Sequence, residues 1–86
     1  MTRVHSAATL DACRALGSLV AVARRERRMT VAEVCERVGI DPATLRAVER
    51  GVPTVALGVA FEVATVLGVP LFSVPAGELR SIAGRD

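Results

Sequence analysis

The stretch Met29 to Gly51, MTVAEVCERVGIDPATLRAVERG, decides how this chain folds, because its capping residues mark out two short helices and the turn between them. Thr30 is followed three residues later by Glu33, the reciprocal arrangement in which a hydroxyl and a carboxylate each satisfy a free backbone N–H at a helix start. Val34 and Val38 then share one face at i, i+4. Gly39 supplies the left-handed residue that ends a helix, and Ile40 supplies the apolar contact that follows it. Asp41-Pro42 restarts a helix with a capping acid and a proline at the first helical position. The spacing therefore predicts a turn of about three residues between the helices. In the second helix Leu45 and Val48 point to the core, which leaves Ala43, Arg46, Ala47 and Arg50 on the outer face.

Two helices joined this tightly have the sequence form of a helix-turn-helix, and an outer face of small and basic residues suits a helix that enters a nucleic-acid groove. The charge distribution agrees. Residues 1–50 hold nine arginines against six acids, whereas residues 51–86 hold two against three. The basic half is thus the half with the two capped helices, as an electrostatic footprint for DNA requires. All eleven basic residues are arginine, which favours bidentate phosphate contacts over point charges.

The chain resembles the Xre family of phage Cro/repressor-like helix-turn-helix proteins. The resemblance rests on Arg24, Arg28, Met29, Thr30, Glu33, Val34, Cys35, Val38, Gly39, Ile40, Asp41, Thr44, Leu45, Val48, Glu49, Arg50 and Gly51, followed by Leu67-Gly68-Val69, and spans residues 16–72. It implies an all-α, lambda-repressor-like DNA-binding domain of four to five helices. The implied DNA contacts are Arg28, Thr30, Asp41, Pro42, Ala43, Thr44, Arg46, Ala47 and Arg50, and the matching arginine and glutamate, Arg24 and Glu49, are expected to form a structural ion pair joining the first helix to the third. Two departures weaken the expected affinity. Val31 stands where many members carry a phosphate-contacting glutamine, and Asp41 where a neutral serine or threonine is common. Within the family, residues 49–72 resemble the HipB-type antitoxins, which implies an autorepressor of a toxin–antitoxin operon with a HipA-like Ser/Thr kinase toxin as partner. The alternative is a protein-interaction module that neutralises or scaffolds a partner without reading DNA.

Around this motif, the expected organisation is a flexible tail over residues 1–8, a helix-turn-helix domain over 9–76, and a short C-terminal tail or helix over 77–86. Thr9 is positioned to cap a first helix running to Arg28, with Leu16, Leu19, Val20 and Ala23 as its apolar stripe. A fourth helix from Ala56 to Leu67 carries Leu57, Ala60, Phe61, Ala64 and Leu67 at core spacing. It ends in Gly68-Val69-Pro70, much as the third ends in Gly51-Val52-Pro53. Leu71 to Val74 is expected to be a short extended segment, and Gly77 to Ala83 a final turn of helix.

With 86 residues and 51% hydrophobic content, one small domain cannot bury every apolar side chain. The excess lies between Gly51 and Gly77, which carry one charge, Glu62. A homodimer interface over residues 66–76 is therefore expected, built from Val66, Val69, Leu71, Phe72 and Val74. Thr54 to Val74 is long enough to suggest a membrane span, but Glu62 lies near its middle and Gly58, Gly68 and Pro70 interrupt it. Cys13 and Cys35 belong to no metal-ligand spacing, no nucleophile has a nearby base, and no phosphate-binding loop occurs. Neither an enzyme nor a cofactor or metal is expected. No basic-then-apolar leader opens the chain, so a cytoplasmic, nucleoid-associated protein is expected.

Overall fold

The structure is a computed structural model, described here over residues 4–85, and its elements are α1 (Ala7–Glu26), α2 (Val31–Val38), α3 (Pro42–Arg50), α4 (Leu57–Val66) and α5 (Ala76–Ala83). Among the described residues the chain is all-helical. The capping residues of the central stretch set its boundaries as their chemistry requires. Thr30 Oγ accepts from the Glu33 N–H at 3.0 Å while the Glu33 carboxylate accepts from the Thr30 N–H at 2.7 Å. Asp41 accepts from the Thr44 N–H at 2.7 Å, and Gly39 and Gly51 end their helices at φ +84° and +75°. Only a residue without a Cβ takes that conformation at little cost.

The first helix departs from expectation at both ends. Ser6, not Thr9, is its cap: the Ser6 hydroxyl accepts from the Thr9 N–H at 3.2 Å, so Ala7 and Ala8 belong to α1 rather than to a tail. The expected tail residues 1–3 lie outside the described residues. At the other end α1 stops at Glu26, and Arg28 turns the chain at φ +54°. An arginine in the left-handed region costs about 1–2 kcal/mol that a glycine would not.

Val20, Ala23, Val34, Cys35, Leu45, Val48, Val63 and Leu67 form the core. It lies where α1 packs on α3 and where α2 packs on α3 and α4. Cys35 fills its tight site as a small hydrophobe, and burial pushes its thiol pKa up, so it stays protonated and inert. Two expected core residues are in fact exposed. Leu19 is 53% exposed because α1 turns Gly17, Val20, Ala21 and Ala23 inward, away from it. Leu57 is 71% exposed, and Val63 takes the central buried position on α4 instead. That helix is apolar nearly all round, so its periodicity does not select a face.

Residues 72–74 form a bend and Leu71 before them is irregular, so no extended strand forms there, and α5 is a full helix of 8 residues rather than a single turn. Among the described residues no helix is long and apolar enough to cross a membrane.

Candidate nucleic-acid interface

Positions 43, 46, 47 and 50 of α3 recur at i, i+3, i+4 and i+7, and so line one side of the helix opposite the buried Leu45 and Val48. Ala43, Arg46 and Arg50 on that side are exposed, and Ala47 is half-buried. Arg46 has no ion-pair partner among the described residues, so its guanidinium is free to meet an external acceptor. Ala43, Thr44 and Ala47 also border a cleft whose opposite wall is the connection to α4, with Val52, Thr54, Val55 and Ala56. Thr54 and its neighbours were not among the sequence-predicted contacts. Their only sequence signal is their place immediately after Gly51-Val52-Pro53.

Pro42 is exposed at the start of α3 and offers no N–H. Asp41 beside it is committed to the helix cap. Hydrogen bonding from Thr44, through side chain and backbone, holds the Asp41 carboxyl below the usual range. The stability this adds is present above the ordinary carboxylate pKa and is lost as pH falls through the lowered one. At neutral pH the start of α3 therefore carries a fixed negative charge among its candidate DNA contacts.

Arg28 and Thr30 stand apart from that cleft. Arg28 borders a depression with Arg27, Met29, Glu33, Glu36, Arg37 and Val66, where carboxylates dilute the arginine charge. Thr30 is exposed, and its oxygen is already engaged by Glu33. Its hydroxyl proton remains available to an acceptor such as phosphate.

What fixes α3 against the body of the protein is an arginine fork. Arg24 Nε donates to Glu49 Oε2 at 2.7 Å and Nη2 to Oε1 at 3.2 Å, while Nη1 donates to the Met29 carbonyl at 3.1 Å. One side chain thus ties α1 to α3 and to the turn before α2. The two side chains are 15% and 13% exposed, and the short hydrogen bond that Arg24 donates to the Glu49 carboxylate raises the Arg24 pKa against the opposing effect of burial. Such a planar bidentate pair holds orientation as well as distance. It sets the angle at which Arg46 and Arg50 are presented.

Of the residues expected at a dimer interface, Val69, Leu71, Phe72 and Val74 come together along one apolar groove with Phe61 and Leu79. Val66 does not join them and faces the Arg27–Arg37 depression instead. Phe72 is 53% exposed and stacks on Phe61 with ring centroids 5.8 Å apart. Phe61 was expected only as a core residue and Leu79 was not foreseen. Only the folding back of α5 brings Leu79 to the groove.

Among the described residues no group of three or more His, Cys, Asp or Glu is arranged to hold a metal. No curated protein and no solved structure matches the chain. A family model, described as helix-turn-helix (HTH_3), matches residues 20–73, from the second half of α1 through α4 to the bends that follow it. That match covers more than half of the chain and includes the capped pair of helices, the Arg24–Glu49 fork and the exposed side of α3, so the chain belongs to the Xre/Cro-like helix-turn-helix family of DNA-binding regulators.

Proposed function

We propose that this protein is a transcriptional repressor that reads a palindromic operator as a homodimer, with α3 of each protomer in a major groove. The observation that carries this reading is the exposed side of α3, where Arg46 and Arg50 are presented beside small side chains that let the helix approach base edges. In this reading Arg46 pairs with guanine O6 and N7, while Ala43, Thr44 and Ala47 meet thymine methyls or sugar. Pro42 packs without specifying a base, and Arg28, Thr30 and Arg50 contact phosphates. Asp41 serves as a cap that keeps phosphates at a distance from its end of the helix. Arg46→Ala is expected to cost about 1–3 kcal/mol of specific binding and to relax preference at one position in each half-site, measured by fluorescence anisotropy on duplexes selected from a random pool. Unchanged affinity and an unchanged base profile would remove Arg46 from the recognition role.

The dimer reading rests on the apolar groove of about 350 Å³ lined by Phe61, Val69, Leu71, Phe72, Val74 and Leu79. An exposed aromatic ring at its rim is the kind of side chain that anchors an interface. Phe72→Asp is expected to convert a micromolar dimer into a monomer in sedimentation experiments while leaving the melting temperature close to that of the wild type. A wild type that is monomeric, or a variant that dimerises equally well, would contradict the groove as interface. The narrower reading, an antitoxin that represses its own operon and binds a HipA-like kinase, is supported by the resemblance of residues 49–72 alone.

A further inference from the structure

The outer face of α1 has no role in the DNA interface or in the groove. Its inward face is committed to α3, yet Leu19 is 53% exposed and Val22 44% exposed, and Ala8, Ala12 and Ala15 continue the same line toward the N-terminus. With Glu26 these positions are separated alternately by four and three residues, the spacing of a helix-pairing seam. We propose that this seam is a self-recognition surface on which α1 of a second copy lies antiparallel, and that it joins protein units bound side by side on DNA.

The pattern of sizes and charges favours a second copy as the occupant. An antiparallel partner sets Leu19 against Ala15 of the second copy and Val22 against its Ala12, so that each large side chain meets a small one. A parallel partner would set alanine against alanine over half the seam and leave Glu26 facing Glu26. In the antiparallel arrangement Glu26 falls beside Ala8 of the other helix. The first turn of α1 contains no acidic residue, so no side chain of that turn offsets the positive end of the helix with a negative charge. Arg25 comes within reach of Asp11 of the second copy, and the existing contact of Asp11 with Arg14, at 3.7 Å between exposed groups, is weak competition. A seam this short and half alanine falls below the roughly 1,200 Å² of a standard interface, so the contact is weak in free solution. It becomes effective when DNA holds two units close together.

The test uses the full chain in sedimentation equilibrium at concentrations rising to millimolar, in the wild-type and Phe72→Asp backgrounds so that groove-mediated association is measured separately. All the altered positions are exposed, and circular dichroism melts check that each variant stays folded. Ala15→Leu and Leu19→Ala are each expected to weaken the α1 association constant at least about tenfold, and Leu19→Asp to abolish the association. The double variant Ala15→Leu/Leu19→Ala, which exchanges large and small across the seam, is expected to restore it, a rescue that misfolding cannot mimic. The proposal is overturned if Phe72→Asp shows no self-association at millimolar concentration, if the α1 variants leave association unchanged, or if the double variant is weaker than either single one. Loss of association through Phe72→Asp alone would leave the groove reading intact while removing this one.

Discussion

Gly17→Ala is expected to destabilise the fold by about 3 kcal/mol or more, at the upper end of the cost of overpacking a close contact. A Cβ at position 17 would lie 2.5 Å from the Glu49 carbonyl oxygen, 2.6 Å from that of Val48 and 2.8 Å from the Glu49 carbonyl carbon. All three are backbone atoms of α3, so no side-chain rotation relieves the clash and the two helices must separate. Separation would open the core at Val20, Leu45 and Val48 and stretch the Arg24–Glu49 fork. Glycine inside a helix ordinarily costs roughly 1 kcal/mol relative to alanine, so replacing it at an open site raises stability. The two effects have opposite signs, which makes the experiment decisive. A melting temperature lowered by more than about 10 °C supports the close approach, and one that is unchanged or raised shows that α1 does not dock on α3 in this way.

Glu49→Ala is expected to cost roughly 3 kcal/mol, the low end of the range for breaking a buried ion pair, because both side chains keep slight contact with solvent. The variant strands the Arg24 guanidinium, leaving it the Met29 carbonyl as its remaining hydrogen-bond partner. Replacing both members, as in Arg24→Met/Glu49→Leu, is expected to do less harm than Glu49→Ala, because no charge is then left without its partner. Chemical denaturation checks both. Equal stability of Glu49→Ala and the wild type would mean that the fork contributes orientation but no net stability. In that case the loss should appear in DNA affinity alone.

The α2–turn–α3 unit was legible because its signals are local. A hydroxyl and a carboxylate three residues apart, a glycine at the turn and an aspartate before proline each act on backbone groups within one helical turn, so no knowledge of the rest of the chain is needed. The start of α1 was misread for the same reason in reverse: Ser6 and Thr9 are both competent caps three residues apart, and local chemistry does not rank them. The misplacement of Leu19 and Leu57 has a different origin. Which side of α1 faces inward is decided by the contact of Gly17 with the α3 backbone, a relation across more than thirty residues that the spacing of leucines does not contain. On α4 the exclusion of Leu57 depends on which of many similar apolar side chains finds a facing wall. The candidate site divides along the same line, since the α3 positions follow from helix periodicity whereas the wall formed by residues 52–56 and the contribution of Leu79 depend on tertiary folding.

The central claim is that the exposed side of α3 reads DNA, and the most direct measurement is selection of duplexes from a random pool by the wild-type protein, followed by titration of the selected duplex over a series of salt concentrations. The account predicts enrichment of a palindrome whose half-sites lie about 34 Å apart, with affinity that falls steeply and linearly on a log–log plot as salt rises. Failure to enrich any sequence, together with binding that is absent at low salt or indifferent to salt, would contradict it and leave the exposed side of α3 as a surface for a protein partner.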